Sequence, residues 1–272
     1  MLSVQHAGPS PELAPYLYGY VQRISEPYQP EIVEPVLARA GSMLEFQFGD
    51  QYDVPIYGLD LPNPSVPITI IGPIPARNVR VIIRGRVEAL AVLFRPLGLY
   101  TVFGVPVSRF TGTGTEGGGV LGAPVRGLYE ELGNLRTFAD RIKTLEQFLT
   151  QCLRQRRSLH PAHRALRVSA FAGAPGAVGK IAAAAGISTR HLERISLEYC
   201  GINPVVLTRL ARFHKALWLR QRTSESWTWI AHAADYHDQM HMIRDFRSLA
   251  GNTPERALRE LSPDHLISFM CK

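Results

Sequence analysis

The chain has 272 residues, 46% of them hydrophobic and 19% charged, which is the composition of a folded globular protein with room for two domains. The N-terminus lacks a basic segment followed by an apolar one, and residues 61–76, the longest weakly charged stretch, contain five prolines. We therefore expect no secretory signal, no membrane span and a cytoplasmic location. The three cysteines, Cys152, Cys200 and Cys271, are too widely separated for a disulfide framework or a zinc finger.

The formal net charge of +7 is unevenly distributed along the chain. Residues 1–155 contain 13 Lys and Arg against 14 Asp and Glu, whereas residues 156–272 contain 17 against 9. All of the excess positive charge therefore lies in the C-terminal part. Such an asymmetry favours nucleic acid or another polyanion as the partner of that part.

The N-terminal part is predicted to be a β-rich domain. Apolar or alternating segments are separated by Gly and Pro, as in short strands joined by turns. These segments are Met43–Phe48, Val66–Ile71, Val79–Ile83 and Val87–Phe94.

Residues 137–155 carry apolar side chains at helical spacing and are predicted to form one amphipathic helix. Its apolar stripe either packs on its own domain or mediates dimerisation, and the sequence leaves both open. Residues 156–175, with several Arg, two His, Gly and Pro, are interpreted as the passage to the next domain. We therefore expect a domain at residues 1–155 and a second domain at residues 156–272.

The N-terminal domain shows no sign of an enzyme. Gly112 to Gly117 satisfies the letter pattern of a dinucleotide-binding loop, but further glycines and Pro124 follow at once, so we interpret it as a flexible loop. His6 is the only histidine before His160, which argues against a metal cluster of histidines and a carboxylate. No nucleophile motif occurs. We therefore expect no catalytic residues, no metal and no cofactor.

Beyond residue 177 the sequence follows one plan twice, and each copy is typical of a helix-turn-helix motif. In the first copy Val178–Ala185 is an Ala-rich helix, Gly186 permits a left-handed turn and Ser188 is a good N-cap. Leu192 and Ile195 mark the inner face of the second helix.

In the second copy Trp227–Ala234 is the first helix, Asp235–Tyr236 the turn and Asp238 the N-cap. Arg194 and Arg244 hold equivalent places, 50 residues apart. A further correspondence relates the segments that close the two copies, Gly201–Pro204 and Gly251–Pro254. Between the copies, Val205–Arg222 has no Gly or Pro and is predicted to be a long connecting helix.

This duplicated motif, over about residues 170–260, resembles the DNA-binding unit of AraC-type (AraC/XylS family) transcriptional regulators. In the first copy the resemblance is carried by Ile181, Ala182, Gly186, Ser188, Arg190, Leu192, Arg194, Gly201 and Pro204. In the second copy it is carried by Ile230, Ala231, Tyr236, Asp238, Gln239, His241, Arg244, Phe246, Gly251, Thr253 and Pro254. Two residues depart from the family pattern. Ser196 replaces a buried Phe, which predicts weaker packing, and Asp235 replaces a Gly, which Asp can accommodate because it tolerates the left-handed conformation.

The segment from Phe94 to Gly98, followed by Phe103 to Pro106, resembles the cupin-like sensor domain that precedes this DNA-binding unit in one branch of the family. The resemblance implies an α+β chain: an N-terminal β-rich cupin-like domain followed by an all-α domain with two helix-turn-helix motifs. It implies double-stranded DNA as a partner, with RNA polymerase, a small-molecule effector and a second copy of the chain as further ones. Effector sensing and dimerisation both remain open for the N-terminal domain.

A short helix that reads DNA must present polar side chains on the face opposite its core. The residues expected there are Thr189, Arg190, Glu193 and Arg194 in the first copy, and Gln239, Met240, Ile243 and Arg244 in the second. By base chemistry Arg suits guanine, Glu suits cytosine, Gln suits adenine, and Met or Ile suits the thymine methyl. The alternative is a solvated charged face, or, for Ile243, a place in the core. We reject zinc at His237 and His241, because no third ligand lies nearby in sequence and Asp238 is needed as a cap.

These observations favour a sequence-specific DNA-binding transcriptional regulator, with activation and repression both open. One alternative is a regulator that senses nothing and whose N-terminal domain only dimerises. Another is an enzyme whose DNA-binding domain is vestigial, against which the missing catalytic motifs argue.

Overall fold

The computed structural model describes residues 2–25, 31–50, 65–76, 79–156 and 177–260. The strands are β1 Leu2–Ala7, β2 Leu17–Ser25, β3 Ile32–Val36, β4 Met43–Gln47, β5 Ile68–Ile71, β6 Val79–Ile83, β7 Glu88–Phe94 and β8 Gly114–Glu116. The helices are α1 Gly98–Phe103, α2 Gly117–Leu121, α3 Ala123–Asn134, α4 Phe138–Arg154, α5 Ala177–Ala184, α6 Thr189–Cys200, α7 Pro204–Arg222, α8 Trp227–Ala233, α9 Gln239–Ala250 and α10 Pro254–Glu260, with a 3-10 turn at Val107–Phe110. Within these ranges, no helix is both long and apolar enough to cross a membrane.

The N-terminal region is built on an antiparallel sheet of six strands in the order β1-β2-β7-β4-β5-β8, with β3 and β6 paired in a second, two-stranded sheet. Helices alone follow from α1 onward except for the short strand β8. This confirms the predicted α+β class, a β-rich domain followed by an all-α one. The predicted strands are present as β4 to β7. Strands β1, β2, β3 and β8 were not predicted; in β2, Gly19, Gln22 and Arg23 interrupt the apolar pattern.

One face of the large sheet is covered by α3 and α4. Tyr20, Phe46 and Phe94 from the sheet and Leu145 and Leu149 from α4 belong to one buried cluster. The helix α4 begins where the sequence predicts it, because the Thr137 side chain accepts a hydrogen bond from the amide of Asp140. Its apolar stripe therefore packs on its own domain.

A buried arginine joins α4 to the sheet. The guanidinium of Arg141 donates to the Gln22 side chain at 2.9 Å, to Glu88 at 2.8 Å and to the carbonyl of Leu132 at 3.1 Å. These bonds satisfy a charge that would otherwise be costly to remove from water.

The opposite face of the sheet also buries charge. Arg23 on β2 and Glu45 on β4 form an ion pair at 3.1 Å, with side chains 10% and 2% exposed. Burial raises the pKa of Glu45, against the opposing effect of Arg23. Burial lowers the pKa of the nearby Arg39 to about 10, although Glu45 opposes that shift. The interior of the N-terminal domain is thus polar as well as apolar.

The glycine-rich segment that the sequence indicates as a flexible loop is ordered. Gly114–Glu116 forms β8 on the edge of the sheet, and Gly117–Leu121 forms the short helix α2. Glu116 caps this helix by accepting from the amides of Gly118 and Gly119, both at 2.6 Å. The loop interpretation was wrong because the Glu116 carboxylate caps the helix and offsets the low helix propensity of the glycines. The segment lies at the edge of an antiparallel sheet, which is not the setting of a dinucleotide site.

The all-α region contains both predicted helix-turn-helix motifs, α5–α6 and α8–α9. Ser188 and Asp238 cap α6 and α9 by accepting from the amides of His191 and His241. The turns use left-handed residues, Gly186 with φ of 66° and Asp235 with φ of 62°. Asp235 is therefore accommodated as the sequence predicts. The predicted connecting helix is α7, which starts one residue earlier, at Pro204. All but the first residue of the expected passage between domains, residues 156–175, lies outside the described residues.

Ser196 occupies the inner face of α6. It is 0% exposed, and its hydroxyl donates to the carbonyl of Ile202 at 2.7 Å. The neighbouring Cys200 is also buried, and burial raises the pKa of its thiol to about 12. Ser196 is therefore a satisfied core residue with a bond of its own.

We expect Ser196→Phe to lower the free energy of unfolding by about 1–3 kcal/mol, because an aromatic ring overpacks a site closed around a hydroxyl and breaks its bond to Ile202. Chemical denaturation of the full chain measures the change, with Ser196→Ala as the control that removes the bond without adding volume. A Ser196→Phe variant as stable as the wild type would show that the site still has room for the ring.

Candidate nucleic-acid interface

The outer face of α6 is exposed to solvent. Thr189, Arg190, Glu193 and Arg194 are all exposed. Arg194, whose side chain is 66% exposed, lies 3.6 Å from Glu198 and 3.4 Å from the Nε2 atom of His191. Such a surface ion pair contributes little stability, so the guanidinium can exchange it for a base or a phosphate.

The outer face of α9 is more apolar. Met240 is 60% exposed and Arg244 is also exposed, whereas Gln239 and Ile243 are partly buried. The Nε atom of Arg244 contacts the carbonyl of Met240 at 3.4 Å, which directs the side chain back along the helix. The sequence left Ile243 open between the outer face and the core. The structure places it at the boundary of the two, because it is partly buried.

Gln239 has a partner in the preceding helix. The hydroxyl of Thr228 on α8 donates to the Oε1 atom of Gln239 at 2.8 Å. Asp238, beside it, accepts from the amide of His241 at 2.6 Å, and this bond holds the pKa of its carboxyl below the usual range. The first turn of α9 is thus fixed by two separate polar contacts.

A buried polar network fixes α9 on the connecting helix. Arg209 on α7 donates to Asp245 on α9 at 2.7 Å, and the Asp245 side chain is 8% exposed. The guanidinium of Arg212 lies over the ring of Tyr236, 5.3 Å from its centroid. Burial raises the pKa of Tyr236 well above its usual range. Sequence reasoning missed this network, because nothing in the spacing of Arg209 and Asp245 shows that they meet.

The N-terminal domain contacts the C-terminal end of α6. The Thr111 hydroxyl donates to the carbonyl of Gly201 at 2.6 Å, and the rings of Tyr100 and Tyr199 stack with centroids 3.9 Å apart. Gly201 has φ of 72°, and a Cβ there would lie 2.7 Å from the Thr111 Oγ1 atom and 2.9 Å from Pro73. Glycine is therefore required at this position by both its conformation and the close approach of the other domain.

The N-terminal domain also contacts the C-terminal end of α9 and the middle of α7. The amide of Ala38 donates to the carbonyl of Leu249 at 3.1 Å. The carbonyl of Ala38 lies 3.0 Å from the Nε2 atom of His214 on α7. Because a carbonyl oxygen can only accept, Nε2 carries the proton.

Leu37, Ala38 and Leu97 belong to the hydrophobic cluster of the helical region and not to the core of their own domain. Leu97 holds φ of 76°, a conformation that costs about 1 kcal/mol in a residue with a Cβ. Its carbonyl accepts from both the amide and the hydroxyl of Thr101. The sequence gives no sign of this shared core, since the contacting segments lie more than a hundred residues apart.

Residues 181–260 match the family model described as a helix-turn-helix domain, and residues 5–116 match one described as a domain of unknown function, DUF6597. With two capped copies of the motif, each with an exposed arginine on its outer face, the fold and the site define a helix-turn-helix, DNA-binding transcriptional regulator. The matched helix-turn-helix domain lies within the segment, about residues 170–260, whose sequence resembles the DNA-binding unit of the AraC-type regulators. None of the curated proteins matches the sequence.

Among solved structures, the chain is similar to ToxT from Vibrio cholerae, with 10% identity over 96% of this chain and 98% of that one and a TM-score of 0.47. ToxT from V. cholerae strain SCE256 with a bound unsaturated fatty acid is also 10% identical, over 88% and 98%, with a TM-score of 0.45. The AraC-like transcriptional activator CuxR is 15% identical, over 82% and 87%, with a TM-score of 0.29. The assignment rests on the family match and on the geometry.

We expect His214 to make the free energy of unfolding depend on pH. Burial, with a smaller effect of Arg39 in the same direction, lowers its pKa to about 4, although the bond to Ala38 opposes the shift. Because the unfolded chain then binds the proton more tightly, with a pKa of about 6.5, the stabilisation is present above pH 6.5 and is lost as the pH falls towards 4. The loss amounts to at most about 3 kcal/mol. Denaturation of the wild type and of His214→Gln from pH 7.5 to 4.5 measures it. Equal pH dependence in the two proteins would contradict the assignment.

Proposed function

We propose that α6 and α9 enter the major groove of duplex DNA and that their outer faces select the operator. The observation that carries this proposal is the orientation of the two helices. The residues expected at the bases lie on exposed or partly exposed outer faces near their N-terminal ends, whereas the contacts with the other domain lie at their C-terminal ends. DNA can therefore approach without displacing the N-terminal domain.

The side chains proposed for this contact are Thr189, Arg190, Glu193, Arg194, Gln239, Met240, Ile243 and Arg244. The arginines supply paired donors for guanine or phosphate, Glu193 an acceptor for cytosine, and Met240 with Ile243 an apolar surface for the thymine methyl. The positive charge of the C-terminal part supports the proposal, since cations beside phosphates release counterions on binding.

We propose that residues 1–155 regulate the DNA-binding part at residues 156–272. The support is that one strand-connecting segment, at Ala38, contacts both α7 and α9, while Thr111 contacts the end of α6. A ligand that alters this segment would alter both motifs together. We therefore propose a small-molecule effector as a partner of the N-terminal domain, and a second copy of the chain and RNA polymerase as the further partners that the sequence resemblance implies.

The base contacts can be tested by substitution. Arg194→Ala and Arg244→Ala should each lose on the order of 1–3 kcal/mol of binding to the selected operator, with little loss on random duplex, because a base contact contributes only where its base is present. The full chain is first used to select operators from a random duplex library, and affinities are then measured at fixed salt. Arg84→Ala, a matched surface substitution in the N-terminal domain, should bind like the wild type. Equal losses on selected and random DNA would contradict the base contacts and show that both arginines contact phosphates instead.

The spacing of the two helices can be tested on the DNA side. The continuous helix α7 holds α6 and α9 at a fixed separation, so one chain should read two short sequence blocks about 10 bp apart on one face of the duplex. Inserting about 5 bp between the blocks moves the second to the opposite face, and bending or twisting the DNA to recover it costs several kcal/mol. Affinity should then collapse to that of one block. Unchanged affinity would mean that only one motif reads DNA.

A further inference from the structure

We propose that Thr228 is a positioning residue for Gln239, and that the pair directs the second recognition helix to a base edge made of acceptors, as on guanine, in place of adenine. The inference rests on the proposed function, since it concerns a side chain of the proposed DNA-reading face. It replaces the adenine preference that glutamine alone suggests.

The geometry leaves Gln239 free for this role. Gln239 is the first residue of α9, and the cap of that helix is already supplied by Asp238 through the amide of His241. The Gln239 side chain lies instead against the first turn of α8, where the Thr228 hydroxyl donates to its Oε1 atom at 2.8 Å. Helix α8 is fixed in turn by its own cap, Ser226, which accepts from the amide of Trp229.

The contact determines which hydrogen-bonding groups of the Gln239 amide are available to DNA. A glutamine amide has one acceptor, Oε1, and two N–H donors on Nε2. The Thr228 hydroxyl occupies one of the two lone pairs of Oε1 and holds that oxygen towards α8, whereas Nε2 has no hydrogen-bond partner within the part of the chain that the structure describes. The outward end of Gln239 therefore consists of donors.

Adenine and guanine differ in the hydrogen-bond donors and acceptors that their major-groove edges present to such a group. In the major groove, adenine presents an acceptor at N7 and a donor at N6, so a two-bond contact needs both ends of the amide. Guanine presents two acceptors, N7 and O6. An amide that is held by its oxygen and leads with its donors matches the guanine edge better.

The first motif lacks this arrangement. Ile181 and Ile230 are equivalent, so the residue equivalent to Thr228 is Gly179, which has no side chain. The proposed device belongs to the second motif alone and makes the two halves of the operator chemically different.

The experiment compares full-length wild type, Thr228→Val, Thr228→Ser and Gln239→Ala on a random duplex library. Gln239→Ala identifies the base position that Gln239 reads, since the preference there should vanish. At that position the wild type should favour guanine over adenine by about tenfold. Thr228→Val is close to isosteric and frees Oε1, so the ratio should shift towards adenine by about tenfold at that position only, whereas Thr228→Ser keeps the hydroxyl and should keep the preference.

The outcomes separate this inference from the proposed function. An unchanged guanine-to-adenine ratio in Thr228→Val, or a wild type that already favours adenine there, overturns the role of Thr228 while operator binding stands. A uniform loss of affinity at all positions in Thr228→Val also overturns it, because that indicates a structural or phosphate role. Failure of the wild type to enrich any sequence overturns the proposed function itself. Thermal denaturation of each variant checks the fold, which should be unaffected because Thr228 is exposed.

Discussion

The continuous helix α7 is the constraint on which the rest of the C-terminal region depends. It runs from Pro204 to Arg222 without a break, begins at a cap formed by Asn203, and spans about 28 Å at the usual rise per residue. Both helix-turn-helix motifs pack on it through one buried cluster that includes Leu210, Phe213 and Leu217. Under the proposed mode of binding, such a continuous helix would combine two weak contacts with DNA into one bivalent contact of fixed geometry.

Helix α7 also links the two helix-turn-helix motifs to the N-terminal domain. His214 lies near its middle and donates to Ala38, and Arg209, about a turn earlier, holds Asp245 on α9. Ala38 in turn donates through its amide to the end of α9. The N-terminal domain therefore contacts the helical region at α7 and at the C-terminal ends of α6 and α9. Closely packed interiors transmit displacement instead of absorbing it, so these contacts support the proposed regulation of both motifs from the segment near residue 38.

The two motifs share a plan but differ in chemistry. The first presents charged groups, with Arg194 beside Glu198, and closes on Gly201, where the other domain approaches to hydrogen-bond distance. The second presents Gln239, held by Thr228, beside the exposed Met240. Under the proposed function, this difference suits an asymmetric operator that a single chain reads and in which each half carries a different base pattern.

The sequence by itself determined the local elements of the helical region. The caps follow from Ser188 and Asp238, the first turn from Gly186, and the unbroken connecting helix from a stretch without Gly or Pro. Helical spacing also determined the outward face of α6, whereas the partial burial of Gln239 and Ile243 on α9 was decided by packing. The tertiary structure decided what depends on residues distant in the chain: that Ser196 is satisfied by Ile202, that Arg209 meets Asp245, that Thr228 turns the Gln239 amide, and that Ala38 belongs to the core of the other domain. The physical reason is that periodicity and capping act within a few residues, whereas hydrogen-bond partners and shared cores arise only when separate elements pack together.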